Sequence, residues 1–157
     1  MHKIPTISFN DLVNTNKDVL DFLTSSLENN GFFVINDHPI DLQLINRTFD
    51  IAEEMFSLPY VTKNKYHVPG TNGARGYTPY GIETALNENV ADQKEFWHQG
   101  STTNNELMPN IYIDEVKNFN DLDILYKEFE SMGVEILKAF KHFSLDYNSD
   151  IADAAEN

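Results

Sequence analysis

The chain has 157 residues, 41% of them hydrophobic and 23% charged, and its 25 acidic against 11 basic side chains give a formal net charge of -14. That composition is ordinary for a folded domain rather than a disordered one, and so negative a surface disfavours phosphate backbones and anionic membranes as partners. The absence of cysteine excludes disulfides, thiolate metal sites and cysteine nucleophiles together.

The opening MHKIPTISFNDL has no apolar run suited to a signal peptide, and no segment approaches the roughly 20 apolar residues of a membrane span. A cytoplasmic location is the expectation. Ile4, Ile7 and Phe9 predict a short first strand. A helix is expected from Lys17 to Asn29, where Val19, Leu23 and Leu27 recur every four residues, Leu20 widens the stripe and Gly31 stops it. The compact apolar run GFFVIN, Gly31 to Asn36, predicts a buried strand.

Asp37-His38-Pro39 turns the chain into a second helix, whose core face is read as Leu42, Ile45, Phe49, Ala52 and Phe56. Pro59 ends it. Residues 60 to 121 read as mostly irregular, with glycines and prolines crowded between Pro69 and Gly81 and a brief extended segment at Ile111 to Ile113. A third helix follows from Leu122 to Phe143, with Leu125, Phe129, Met132, Ile136, Phe140 and Phe143 as its apolar stripe. At about 1.5 Å per residue it is on the order of 30 Å long, enough to act as a spine. The remaining tail is acidic and without periodicity. Three amphipathic helices face only two or three short strands, and so small a sheet is marginal by itself. The expected fold is therefore α+β, helices packed on a partial sheet, with part of the architecture missing.

The histidines bear first on chemistry. A two-histidine, one-carboxylate iron site leaves a His-x-Asp or His-x-Glu trace, yet the five histidines are followed two positions on by Ile4, Ile40, Pro69, Gly100 and Ser144. Glu95-x-x-His98 occurs once, whereas bundle di-iron sites need two such pairs. His38 beside Pro39 and His67 beside Tyr66 read as structural before they read as ligands. Gly70, Gly73 and Gly76 match neither a dinucleotide fingerprint nor a phosphate loop, and no nucleophile elbow is present. Glu53 and Glu54 fall on the polar face of the second helix. What remains is Arg75, with Gly73 and Gly76 close by. Its guanidinium suits a carboxylate, and Tyr77 or Tyr80 adds a hydroxyl and a ring face. The plainer alternative is an ion pair with one of the many acids.

Four stretches then carry a resemblance. GFFVINDHPI is similar to the glycine-aromatic-strand segment near the start of the isopenicillin N synthase-like family, and MFSLPYVTKNKY to its Phe-x-Leu-Pro-x-x-x-Lys segment. RGYTPYGIE followed by DQKEFWHQG resembles the family's Gly-Tyr to Asp-x-Lys-Glu block, and LMPNIYIDEVKNF its Asn-x-Trp-Pro segment, with Tyr112 where tryptophan is usual. Asp37 is inserted and no glycine follows His38. The family consists of non-haem Fe(II) oxygenases, mostly using 2-oxoglutarate to oxidise small molecules, on a distorted jelly roll (double-stranded β-helix) flanked by helices.

The resemblance implies that residues 1–145 correspond to the family's amino-terminal region and that 146–157 lead toward a catalytic jelly roll whose core strands are missing. It also implies Fe(II) and 2-oxoglutarate for a full-length member. None of the family's metal ligands or its Arg-x-Ser motif is found here, since Arg47 and Arg75 are followed two places on by Phe49 and Tyr77. No catalysis and no metal or cofactor binding are therefore expected of the isolated chain. Arg75 and Tyr77 are the candidate substrate-binding residues, in the loop that lines the substrate mouth in the family. The alternatives are a stand-alone binding module covering its sheet by self-association, and an oxygenase half completed in trans by pairing with a jelly-roll chain.

Overall fold

A computed structural model describes residues 4–14, 16–82, 84, 90–103 and 108–143. The fold is α+β, and the chain divides into two compact units: the described parts of Met1–Ile40 and Glu128–Asn157, and of Asp41–Lys127.

In the first unit, strand β1 (Thr6–Ser8) runs directly into helix α1 (Phe9–Val13). Phe9 begins a helix rather than extending the strand because the Ser8 side chain accepts the Asp11 amide at 3.1 Å, capping the first turn. Helix α2 (Lys17–Asn30) starts where the Asn16 side chain accepts the Val19 amide and stops at Gly31, which adopts the left-handed φ of 76° that glycine tolerates. Strand β2 (Val34–Asn36) pairs parallel to β1, with Ile7 opposite Ile35. The core is Ile7, Leu12, Val19, Leu23 and Ala139, with Phe33, Ile35, Ile136 and Phe140 packed against it.

The GFFVIN strand is shorter and less buried than its composition suggests. Alternation along the chain puts Phe33 and Ile35 on the core, so Phe32 and Val34 face the other way and are 53% and 42% exposed.

The second unit is organised by helix α3 (Leu42–Ser57), capped by the Asp41 carboxylate on the Gln43 amide. Its core face is Leu44, Thr48, Ile51 and Met55. The stripe expected to face inward does so only in part: Phe56 packs against the second core and Ile45 and Ala52 are half-buried, but Phe49 is 71% and Leu42 65% exposed. The helix carries two apolar stripes, one residue or about 100° apart, and tertiary packing selects the other one. Helix α4 (Tyr60–Lys63) and a single 3-10 turn (Asn64–Tyr66) follow within the region read as irregular. Strands β3 (Gly76–Thr78) and β4 (Phe96–His98) pair antiparallel there, with Tyr77 opposite Trp97.

Ile111 to Ile113 forms no strand, and Ile113 instead joins Ile51, Met55, Val116 and Phe119 in the second core. Trp97 stands edge-on to Phe119 at 5.0 Å and to Tyr66 at 6.4 Å. Helix α5 (Asp121–Phe143) is continuous, but its stripe serves both cores: Leu122 packs in the second, Ile136, Ala139 and Phe140 in the first, and Phe129 between them is 49% exposed. The tail from 144 onward and the Phe143 side chain lie outside the described residues.

Candidate functional site

Of the two residues singled out from the sequence, Tyr77 lies in the β3–β4 ribbon and Arg75 immediately before it. Gly76 opens β3 at φ 72°, and a Cβ there would lie 2.6 Å from the Tyr66 carbonyl oxygen. Only glycine lets the ribbon pass so close to the 3-10 turn. One residue on, the His67 Nδ1 lies 3.1 Å from the Tyr77 carbonyl oxygen. A carbonyl only accepts, so His67 carries its proton on Nδ1. His98 makes the same kind of bond to the Gly73 carbonyl.

At one end of β4, Lys63 and Glu95 form a buried hub. The Lys63 side chain is 8% exposed, and its ammonium donates at 2.8 Å to the Phe56 carbonyl in the last turn of α3. It reaches both Glu95 carboxylate oxygens, at 2.9 and 2.8 Å, and lies 5.6 Å from the Tyr77 ring centre. An ammonium suits that helix end, where unpaired carbonyls concentrate negative charge. Glu95 also accepts hydroxyl bonds from buried Tyr77 and, at 3.3 Å, from Tyr80. Burial by itself would raise the Glu95 carboxyl, but the hydrogen bonds from Lys63 and Tyr77 and the Lys63 charge together hold it below its usual range. Burial, and then the bond to Glu95, push the Tyr77 hydroxyl well above the usual phenol range.

At the other end, Asp123 in the first turn of α5 accepts from Gln99 Nε2 at 2.5 Å, Asn110 Nδ2 at 2.8 Å and the Tyr112 hydroxyl at 2.6 Å. Asn110 also exchanges two bonds with the Gly100 backbone, imitating a strand partner. The segment DQKEFWHQG is thus fixed at both ends by a carboxylate. Arg75 lies against Gly100, where a Cβ would collide with its guanidinium. Its Nη1 donates to the Ala74 carbonyl at 2.6 Å, and its buried Nε has no hydrogen-bond partner.

Tyr77 therefore points inward onto Glu95, while Arg75 sits half-buried beside Gly100. Lys63 and Asp123 are not among the residues that the sequence singles out, and Glu95 is considered there only as half of a Glu-x-x-His pair. Lys63 and Glu95 do lie within two of the motifs that carry the resemblance, but nothing in a single sequence pairs positions so far apart.

The donors present do not fit an iron centre: among the described residues no group of three His, Cys, Asp or Glu could hold a metal ion. A surface pocket of about 190 Å³ beside α3 is lined by Arg47, Asp50, Glu54, Lys117 and Asp121 among others, and Arg47 is paired with Asp121 at 2.9 Å. It contains no residue of the ribbon.

With this geometry in view, solved structures share the fold. A Caulobacter crescentus protein assigned to the 2OG-Fe(II) oxygenase family superposes with a TM-score of 0.69 at 30% identity, over 89% of this chain and 48% of that one. A full-length Neurospora crassa protein solved in complex with alpha-KG gives 0.71 at 19% identity, over 97% of this chain and 51% of that one. The fold is thus one found in about half of a protein assigned to the 2OG-Fe(II) oxygenase family. The family model "non-haem dioxygenase in morphine synthesis N-terminal" matches residues 4–116, and the chain belongs to that amino-terminal family of non-haem dioxygenases.

Among curated relatives, an Aspergillus fumigatus "2-oxoglutarate-Fe(II) type oxidoreductase" is 36% identical over 67 residues, 43% of this chain and 20% of its own length. The Acremonium "2-oxoglutarate-dependent dioxygenase ucsF" is 24% identical over 134 residues, 77% of this chain and 40% of its own. The chain spans about half or less of the length of these relatives.

Proposed function

We propose that this chain acts as the amino-terminal half of an Fe(II)/2-oxoglutarate oxygenase of small molecules and performs no catalysis by itself. In this reading residues 1–145 form the family's amino-terminal region and 146–157 lead toward a jelly roll that supplies the iron ligands and the 2-oxoglutarate arginine. The observation that carries it is the family match over residues 4–116 in a chain spanning about half of its solved relatives.

Within it, Arg75 and Tyr77 belong to the substrate mouth. Arg75 is half-buried and brings a guanidinium suited to an anionic or carbonyl group, and Tyr77 shapes the loop from below through Glu95. A cytoplasmic setting belongs to the same reading. Among the described residues, no helix is long and apolar enough to cross a membrane.

The test is calorimetric titration of the purified chain with Fe(II) under argon, followed by succinate measurement after 2-oxoglutarate and oxygen are added. No stoichiometric iron uptake and no succinate are expected. One iron bound per chain with 2-oxoglutarate turnover would overturn the reading.

A second reading, a stand-alone module that covers itself by self-association or pairs with a separate jelly-roll chain, draws on Leu42 and Phe49, 65% and 71% exposed on one side of α3. Molar mass in solution separates them: a tight dimer, or a second polypeptide retained through purification, favours the module.

A further inference from the structure

The geometry points to Glu95 as a positioning residue that fixes the Arg75–Gly81 loop through both of its tyrosines. The proposal deepens the substrate-mouth reading and rests on it only for what the ordered loop serves.

Past the end of β3 the turn at residues 79–81 has no strand partner among the described residues to hold it. Gly76 and Gly81 both hold positive φ, at 72° and 74°, and Pro79 lies between them. The loop's first half, Gly76–Thr78, is held as β3 in the antiparallel pairing with β4, and beyond that strand the backbone is tied by the Gly81 amide to the Asp92 carbonyl at 3.1 Å. The side-chain ties converge on one carboxylate. Tyr77, almost fully buried, reaches Glu95 from inside the unit, and Tyr80, 54% exposed, reaches it from the solvent side of the turn. Two hydroxyls three residues apart on the same carboxylate fix the turn between them.

Glu95 is itself immobilised. Its side chain is 12% exposed, and both oxygens face the Lys63 ammonium, which is bonded in turn to the end of α3. A buried carboxylate with a buried counter-ion has little rotamer freedom, because any departure strands a charge away from water. Order thus passes from α3 through Lys63 and Glu95 to the loop. The consequence at the surface is a Tyr80 ring held by its hydroxyl with its face exposed, next in the chain to the segment that carries Arg75. Glu95 touches no ligand in this account. It sets where the ligand-facing groups stand.

The experiment is hydrogen-deuterium exchange on the full chain without any ligand, comparing wild type, Tyr80→Phe and Glu95→Gln. Tyr80→Phe removes one exposed hydroxyl and keeps the core, so its melting temperature is expected to match wild type. Amides of residues 76–81 are expected to exchange faster, on the order of fivefold, while those of residues 44–56 stay unchanged. Glu95→Gln is expected to enlarge the loop effect.

Loop exchange at the wild-type rate in Tyr80→Phe overturns the proposal, even if Glu95→Gln fails to fold. So does an equal rise in residues 44–56 in Tyr80→Phe, which would make the Tyr80–Glu95 bond a general stabiliser rather than a tie on the turn. Because exchange reads loop order with no substrate present, a negative result here is distinguishable from failure of the oxygenase reading.

Discussion

Gly76 shows how one residue type is dictated from two directions. Its φ of 72° lies where side chains with a Cβ are strained, and the space a Cβ would take is occupied by a backbone oxygen, the Tyr66 carbonyl, at 2.6 Å. Neither constraint relaxes by a rotamer change. Gly76→Ala is expected to destabilise the chain by about 1–3 kcal/mol, the usual cost of a forced left-handed residue, with the clash added. Gly100 is the useful contrast. The nearest atoms a Cβ there would meet are those of the Arg75 guanidinium, the far end of a flexible side chain, so Gly100→Ala is expected to cost well under half as much. Urea unfolding of the two variants side by side checks this, and equal losses would remove the backbone argument.

Among the elements, α3 carries the sharpest disagreement between pattern and packing. Counting threes and fours from Leu42 selects a continuous stripe, and the period is right for a helix. The neighbouring stripe of Leu44, Thr48, Ile51 and Met55 is the buried one, and its Ile51 and Met55 pack with Ile113, Val116 and Phe119. The packing face makes different demands on the two sets. Met55→Ala, at a position 2% exposed, is expected to cost about 2–5 kcal/mol, whereas Phe49→Ser, at 71% exposed, is expected to change stability by no more than about 0.5 kcal/mol. Thermal melts of both variants decide between the stripes, and a larger loss at Phe49 would restore the first one.

Local signals are otherwise legible in the sequence: Gly31 ends α2, and α5 begins within one residue of its expected start. Such boundaries depend on caps and breakers that lie within the sequence window. The β3–β4 pairing is not legible, because three-residue strands show no alternation and their partners lie some twenty residues apart. The Lys63–Glu95 hub is invisible for the same reason. Arg75 and Tyr77 stand out because glycines and a scarcity of basic residues mark them locally, but that one lies half-buried against Gly100 and the other points inward depends on the fold around them.

At the scale of the whole molecule, an excess of acids makes the response to pH a sum of opposing effects. Lowering the pH from neutrality neutralises carboxylates and relieves self-repulsion in a chain of formal charge -14, which favours the compact state. Against this stands Glu95, whose carboxyl is held below its ordinary value of 4.5 despite burial, by Lys63 and Tyr77. A carboxyl depressed by folding contributes its full stabilisation above the unfolded value, and that contribution is lost as the pH falls through the folded value. Wild type alone mixes the two effects, but the difference between wild type and Glu95→Gln isolates the second. At about pH 7 the wild type is expected to be the more stable, with the gap in urea midpoint closing as the pH falls below 4.5 and through the lowered folded value. A protonated Glu95 and the amide of the Glu95→Gln variant then present similar neutral groups to Lys63, so little difference remains. A gap that stays constant across the whole acid range in which the chain remains folded would mean that the Lys63–Glu95 contact holds the unit together by shape rather than by charge.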